Sequence, residues 1–480
     1  MEGGLIFRES LLCMRIKPAY VIRLRDKDIS KINVCEFRFV ESIQTWRSFR
    51  TRPLAYEQMP RHDAAGLSMT KVLVRLLAVL LMALLFQPWA AEAQVRVQLP
   101  STTGLTPDSL AVIVNDEDQL SRQIGDYYQK ARHIPAANMI HLSFPPGRTT
   151  LSKDEFLKLK TEIDRATPAH VQAYAVAWTD PYRVECMSLT SALAFGFDEG
   201  YCSFGCKPTT PSPYFNSSSL HPFSDHHLRP AMMLAGINFE QVKALIDRGV
   251  AADHSFPEGR AYLIITPDKE RSVRATYFGK TAKELEGVFP IEILETDAIT
   301  DRHDVLFYFT GLAHVPQLHT LDFLPGALAD HLTSSGGQLT NSSQMSSLRW
   351  LEAGATASYG TVVEPCNYMQ KFPVPGIAMF HYALGASAIE AYWKSVLWPG
   401  EGVFIGEPLA QPFAPRLREI HAGQFELRIF SPRERSLRLE QSHSAAGPFK
   451  PLPKQAPIRR GANVVRFNFA EKEGYLRLRW

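Results

Sequence analysis

The sequence has few cysteines, no surplus of basic charge in its larger part, and an apolar run near its start that is too short to cross a bilayer. Residues 1–93 carry 14 of the 52 basic and 9 of the 49 acidic side chains, so residues 94–480 hold 38 basic and 40 acidic groups. A nucleic-acid-binding protein would show a basic stripe. No nucleic-acid partner is therefore expected.

Two chemical signatures are also missing. No Gly-x-Ser-x-Gly motif is present, which argues against the nucleophile elbow of α/β-hydrolases. Cys202 and Cys206 form a Cys-x3-Cys pair, but no second cysteine pair or spaced histidine pair completes a zinc pattern. The alternative is a metal site that uses this pair with His226 or His227. The sequence favours no metal and no cofactor.

The front of the chain resembles an export signal. Lys71 and Arg75 precede the apolar run Leu76–Phe86, and Ala90-Ala-Glu-Ala93 follows as a cleavage site. A membrane span takes roughly 20 residues, so an uncleaved anchor is the weaker alternative. Residues 69–93 are predicted to be a signal peptide, and the secreted or periplasmic protein is predicted to start at Gln94.

The signal begins at Met69 instead of Met1. Residues 1–68 show no hydrophobic period, linker composition or turn pattern. We expect them to be disordered sequence that lies upstream of the true translation start. A cytoplasmic extension is the alternative.

Four cysteines lie beyond residue 68, namely Cys186, Cys202, Cys206 and Cys366. An even number in an oxidising compartment predicts disulfides and no free thiols. Four cysteines allow three pairings, between which the sequence does not choose. We favour Cys202–Cys206 with Cys186–Cys366.

Residues 94–415 read as an α/β domain with a mostly parallel sheet covered by helices on both faces, because short apolar strands alternate with helical patterns. The predicted strands are 110–115, 138–142, 171–178, 262–266, 305–310 and 403–406, and the predicted helices are 117–133, 151–165 and 380–396. The segment 179–229 breaks the pattern and contains three cysteines. It is either a functional loop or a disulfide-pinned surface excursion.

Residues 416–480 change to short alternating strands separated by turn residues. The predicted strands are 424–430, 436–440, 463–469 and 474–480. This spacing predicts a small β-rich, sandwich-like C-terminal domain.

Polar side chains follow two predicted strands. Glu364 and Asn367 come after the segment 354–363, and Glu407 comes after the strand 403–406. Ligands of open α/β sheets bind beyond the carboxyl ends of strands, so paired carboxylates could lie at one edge. Loop carboxylates that cap helices are the commoner alternative.

A second candidate site follows the strand 305–310. His314 stands where a general base would be held, and Ser334 and Ser335 precede a glycine pair that could supply backbone N–H groups. A serine-rich turn is the alternative. Arg183 and Glu185 are further binding candidates, or an ion pair.

Several stretches together resemble an uncharacterised secreted bacterial family that occurs in genomes with exosortase-type (PEP-CTERM) protein sorting. The resemblance covers roughly residues 109–413. It rests on Ile113-Val-Asn115, Tyr127-Tyr128 with Arg132-His-Ile-Pro135, Cys186-Met-Ser-Leu-Thr190, Arg229-Pro-Ala-Met-Met-Leu234, Ser358-Tyr-Gly-Thr-Val-Val-Glu-Pro-Cys366 and Gly406-Glu-Pro-Leu-Ala410. It implies export and an α/β core, and no particular activity.

A more distant resemblance is to the caspase-like fold of gingipain-type peptidases. Those have a strand that ends in His-Gly, a later strand that ends in Cys, and then a Gly-Ala-x-Ala strand. His314 lies near the position of the histidine in the His-Gly strand, and Gly354-Ala-Thr-Ala357 matches the Gly-Ala-x-Ala strand. The residue after His314 is Val315 and not glycine. The cysteine place falls at residues 333–335, which have no thiol. The resemblance implies a hydrolase whose nucleophile is altered or lost.

Two function classes follow. One is a binding or assembly protein of the envelope, with a protein or polysaccharide partner linked to surface-protein sorting or exopolysaccharide. The other is a hydrolase of caspase-like descent. A hydrolase needs His314 and a hydroxyl of residues 333–335 within hydrogen-bond reach of each other.

Overall fold

The apolar run Leu110–Asn115 forms a strand that is buried along its whole length.

The computed structural model describes residues 95–98, 104–203, 205–444, 446–469 and 474–480. The predicted signal peptide and residues 1–68 lie outside the described residues. In chain order the strands are β1 (Val95–Gln98), β2 (Leu110–Asn115), β3 (Met139–Leu142), β4 (Thr150–Leu151), β5 (Ala173–Val176), β6 (Arg183–Val184), β7 (Met187–Ser188), β8 (Ala231–Met233), β9 (Arg260–Ile265), β10 (Ile291–Glu295), β11 (Arg302–Thr310), β12 (Leu321–His331), β13 (Ala357–Thr361), β14 (Gly402–Gly406), β15 (Arg416–His421), β16 (Gln424–Ser431), β17 (Arg435–Ser442), β18 (Lys450–Ile458), β19 (Gly461–Asn468) and β20 (Gly474–Arg479).

The described α-helices follow the strands and begin at recognisable caps. They are α1 (Gln119–Arg132), α2 (Lys153–Ala166), α3 (Leu189–Phe195), α4 (Pro222–His226), α5 (Phe239–Ala252), α6 (Ala275–Glu284), α7 (Leu348–Ala353), α8 (Pro375–Ala383) and α9 (Ala388–Trp393). Ser152 and Glu155 form a capping box at the start of α2. Helix α1 ends at His133, which takes a left-handed conformation before Pro135.

Ten strands form one sheet in the order β10-β9-β11-β12-β13-β14-β8-β5-β2-β3. Neighbours are parallel except β13 and β14, which pair antiparallel with Ala357 opposite Gly406 and Thr361 opposite Gly402. Alternate residues of β2 enter separate apolar clusters, Val112 and Val114 in one and Ile113 in the other. Burial on both faces explains why the strands are apolar throughout, and the predicted α/β class is confirmed.

The helices divide between the two faces. Helices α1, α6, α8 and α9 place their buried apolar residues in the first cluster, α2 places its residues in the second, and α3 and α5 contribute to both. The predicted helix 380–396 is wrong as one element, because Gly385 has φ 93° and separates α8 from α9. Ser387 and Glu390 then form a capping box that starts α9. Among the described residues, no helix has both the length and the apolar character that crossing a membrane requires.

The described residues of the segment 179–229 include regular secondary structure. It contains β6, β7, α3 and α4, and it packs on the turn before β14. Ser188 Oγ donates to Gly402 O (2.6 Å), Ser191 Oγ donates to Pro399 O (2.6 Å), and Ser212 N donates to Leu397 O (2.7 Å). These contacts fix the segment against the α/β core.

All four described cysteines form disulfides, as predicted, but the favoured pairing is wrong. Cys186 pairs with Cys202 and Cys206 pairs with Cys366. The first bridge closes a local loop within the segment 179–229. The second ties that segment to the loop after β13. Two disulfides are typical of proteins in an oxidising compartment.

The C-terminal region is antiparallel and β-rich, as predicted. Strands β15-β16-β19 form one small sheet, and β1-β20-β17-β18 form another. Leu427, Leu437 and Leu478 come from both sheets and share one buried cluster. The sequence missed β15 and β18, and it gave no sign that β1 would join β20 in parallel, with Val95 opposite Gly474. The domain limits 94–415 and 416–480 stay a prediction.

Candidate functional site

The strands β11, β12 and β13 end together at one edge of the large sheet. Thr310 lies opposite His331 at the ends of β11 and β12, and β13 follows as the next strand. A crevice of about 240 Å³ lies at this edge. Its lining residues are Glu270, Arg271, Leu332, Thr333, Ser334, Glu364, Cys366 and Asn367. At this edge the end of β12 lies between the ends of β11 and β13.

The turn that carries the candidate serines is fixed to the end of β13. Gly337 N donates to Thr361 O (2.9 Å), and Thr361 Oγ1 lies 3.2 Å from the carbonyl oxygens of Thr333 and Ser334. A β-carbon on Gly360 would overlap the backbone of residues 336 and 337. Glycine at 360 is therefore required for this close approach.

The hydroxyl groups of the turn are held mainly by Gln344. Its Oε1 accepts from Thr333 Oγ1 (2.7 Å), Ser335 N (3.0 Å) and Ser335 Oγ (3.2 Å). Arg271 Nε donates to Thr333 Oγ1 (3.1 Å). The Ser335 hydroxyl also lies 3.1 Å from Ser342 Oγ. Ser335 thus belongs to a fixed polar network, whereas Ser334 lines the crevice.

The opposite wall comes from the loop after β13. Glu364 Oε1 accepts from Cys366 N (2.7 Å), which closes a tight turn around the disulfide-bonded Cys366. Asn367 Nδ2 donates to Glu270 Oε2 (2.7 Å). Glu364, Asn367 and Glu270 are exposed, so their remaining acceptor atoms are open to a ligand.

His314 is exposed in the loop after β11 and does not belong to the lining of the crevice. Among the described residues that line the crevice, none is a histidine. The catalytic pairing of His314 with Ser334 or Ser335 stays a prediction.

His331, which ends β12, is held in a single protonation state by two hydrogen bonds. Its Nδ1 accepts from Trp350 Nε1 (2.8 Å), and its Nε2 donates to Met345 O (3.0 Å). A proton added to Nδ1 would point at the indole N–H of Trp350, so protonation of His331 would break this hydrogen bond. Burial lowers the pKa of His331 to about 3. Burial also lowers the pKa of His381 to about 3. Both imidazoles are neutral in the folded protein.

These two histidines predict acid sensitivity. Their folded pKa values lie below the unfolded value of about 6.5, so the unfolded state binds more protons as pH falls below that value. Between pH 7 and 5 we expect each to remove about 2 kcal/mol from the free energy of unfolding. Urea titrations at several pH values measure this slope. In His381→Gln the free energy of unfolding should depend less steeply on pH, by an amount equivalent to nearly one proton bound on unfolding. An unchanged pH dependence would contradict the assignment of His381 as a neutral buried histidine.

Glu407 lies at the other edge of the sheet, because β14 runs antiparallel to β13. It is fully buried, accepts from Tyr128 OH (2.6 Å) and Arg132 Nε (3.0 Å), and forms an ion pair with Arg132. A side chain at Gly249 would overlap its carboxylate. The expected pairing of Glu364 and Glu407 at one edge is wrong, and Glu407 is part of a buried structural network.

Arg183 begins β6 of the small sheet formed by β4, β6 and β7, and Glu185 lies in the turn between β6 and β7. Glu185 is exposed and accepts from Lys153 N (3.3 Å). Arg183 Nε is buried and has no hydrogen-bond partner among the described residues. The structure does not bring these residues into the lining of the crevice.

Sequence reasoning missed Glu270, Arg271 and Gln344. Glu270 and Arg271 follow the end of β9, at the same edge as the other strand ends, so the rule that ligands bind beyond carboxyl ends could have found them. Gln344 lies in the loop between β12 and α7 and does not directly follow a strand end, so this rule could not have identified it.

The fold and the crevice define an α/β protein with a polar recess at the carboxyl edge of a mostly parallel sheet. The recess offers carboxylate, amide and hydroxyl groups. Among the described residues, both candidate thiols near it, Cys206 and Cys366, are oxidised to one disulfide. Such a set suits hydrogen bonding to a polar ligand better than nucleophilic attack.

No protein-family model matches the chain. No curated protein matches it in sequence. Among solved structures, a protease is 11% identical and matches 76% of this chain and 98% of its own, with a TM-score of 0.36. The complex of the pro- and mature domains of RgpB from Porphyromonas gingivalis is 10% identical and matches 75% of this chain and 93% of its own, with a TM-score of 0.37. Similarity at this level does not establish a shared fold or activity.

Proposed function

We propose that this is an exported envelope protein that binds a polar ligand of the polysaccharide class in the carboxyl-edge crevice, in a role linked to exopolysaccharide or surface-protein sorting. The lining of the crevice carries this proposal. Glu270, Glu364, Asn367 and Ser334 present acceptors and donors that match sugar hydroxyl groups. The predicted signal peptide and the two disulfides support an extracytoplasmic setting.

The crevice is also built to keep its shape. The Cys206–Cys366 bridge anchors one wall, and the Gln344 network anchors the other. Side chains that are already held in place lose little entropy when a ligand binds. This rigidity favours recognition of a fixed ligand geometry.

Titration calorimetry with cellohexaose, chitohexaose and mannohexaose tests the proposal. The combined change Glu364→Gln and Asn367→Ala removes one charged acceptor and one amide, so affinity for the bound hexasaccharide should fall at least about tenfold. Glu258→Gln is the matched control, because Glu258 is exposed and precedes β9 at the opposite edge. The proposal fails if no hexasaccharide binds, or if the control and the paired variant bind equally.

The competing function is a hydrolase that uses His314. His314→Ala should leave the free energy of unfolding within about 0.5 kcal/mol of the unchanged protein, since the side chain is exposed. Incubation with a peptide library, read by mass spectrometry, should show no cleavage. Cleavage that disappears in both His314→Ala and Ser334→Ala would establish the hydrolase and overturn the binding function.

A further inference from the structure

A second, larger cavity lies between the α/β core and the C-terminal region. It has a volume of about 890 Å³ and is bordered by helices α6 and α8 and by residues 432, 433, 435, 460 and 480. It shares no lining residue with the carboxyl-edge crevice. A volume of this order accommodates an organic molecule of moderate size.

The lining of this cavity is strongly basic. Its charged side chains are Lys280, Lys394, Arg433, Arg435 and Arg460, against the one acidic side chain of Glu284. Residues 94–480 together have slightly more acidic than basic side chains. The local surplus of positive charge is therefore a feature of this site and does not follow from composition.

Arg435 is the key residue of the cavity. Its Nε donates to Ser431 Oγ (3.0 Å), and its guanidinium stacks 3.6 Å from the centre of the Trp480 ring. Its Nη2 atom is buried and has no hydrogen-bond partner among the described residues. Burial, with repulsion from Arg433, lowers the pKa of Arg435 to about 10. A buried guanidinium nitrogen without an acceptor is costly unless a ligand supplies one.

The other arginines also make only neutral contacts with described residues. Arg433 lies 4.8 Å from the centre of the Phe380 ring. Arg460 Nη1 donates to the carbonyl oxygen of Glu286 (2.9 Å). Lys280 is paired loosely with Glu284 at 3.7 Å. Among the described residues, the contacts of the three arginines thus bring no side-chain carboxylate to their guanidinium groups.

The remaining wall is apolar and aromatic. Phe215, Tyr277, Ile377, Phe380 and Trp480 line the same space. Flat or hydrocarbon groups would be desolvated there, while an acidic head group would meet the arginines.

We propose that this cavity binds an amphipathic organic anion, whose carboxylate or phosphate head pairs with Arg435 and Arg433 and whose apolar body lies against Phe380 and Trp480. This inference is independent of the polysaccharide function, because it concerns a separate site and a ligand of opposite character.

The test titrates the purified protein with 4-phenylbutyrate and phenyl phosphate, and with 4-phenyl-1-butanol as the neutral counterpart. We expect saturable binding of at least one anion, weakened by added salt, and at least about tenfold weaker binding of the alcohol. The preferred anion distinguishes a carboxylate head from a phosphate head. Binding of neither anion, or equal binding of the alcohol, overturns the proposal.

Variants locate the binding. Arg435→Met and Arg433→Gln should each weaken binding of the preferred anion about tenfold. Arg433 is exposed, so its replacement tests the site even if Arg435→Met destabilises the protein. Arg418→Met is the control, because Arg418 is exposed on β15 and does not line the cavity. Unchanged affinity in Arg433→Gln and in folded Arg435→Met would refute the assignment. Binding to the crevice should stay the same in both variants.

Discussion

Replacing Arg274 by methionine is expected to lower the free energy of unfolding by about 3–5 kcal/mol, the usual cost of breaking one half of a buried ion pair. Arg274 and Asp330 are almost completely buried, and Nη1 lies 2.6 Å from the Asp330 carboxylate. The same guanidinium donates to Thr310 O (2.6 Å) and Pro373 O (3.2 Å). It therefore joins β11, β12 and the segment before α8.

Urea unfolding of Arg274→Met measures the effect. The double variant Arg274→Met with Asp330→Leu should be more stable than the single variant, because no buried carboxylate is left unpaired. Arg418→Met, an exposed arginine, should change stability by less than about 0.5 kcal/mol. A loss below about 1 kcal/mol in Arg274→Met would show that the pair contributes little.

Removing the Cys206–Cys366 bridge by changing both cysteines to serine should cost up to about 5 kcal/mol. The bridge joins residues 160 apart in sequence, and a closed loop of that length restricts the unfolded chain strongly. The bridge also holds the loop of Glu364 against the segment 179–229, so the crevice should lose affinity for its ligand as well.

The other disulfide provides the comparison. Cys186 and Cys202 are 16 residues apart, and their removal should cost about 3 kcal/mol on the same entropic argument. Its loss should leave crevice affinity nearly unchanged, since neither cysteine lines the crevice. If both serine pairs reduce stability equally, loop length does not determine the stabilisation.

The sequence predicted elements well where burial alone determines the pattern. Strand β2 has the predicted bounds, and β14 differs from its predicted bounds by one residue. Strand β12 was not predicted, because Pro325, Gly326 and Asp330 interrupt its apolar pattern. Strand β8 has three residues, too few to show any period.

The site was predictable only in part. Glu364 and Asn367 lie at the carboxyl edge because they follow a strand that runs towards it. The place of Glu407 depends on the direction of β14, which is set by its partners and not by its own residues. The disulfide pairing and the role of Gln344 likewise depend on how distant loops meet, which no local pattern records.

The pairing of β1 with β20 has a consequence for how the protein matures. Val95–Gln98 directly follow the predicted signal peptide, yet their partner is Gly474–Arg479. During synthesis the first strand must wait for the last one, so the sheet that contains β1 is completed only after residue 479 has emerged. Until then β1 and β17 both lack β20, the strand that lies between them. A chaperone that shields unpaired strand edges would therefore act latest on this sheet.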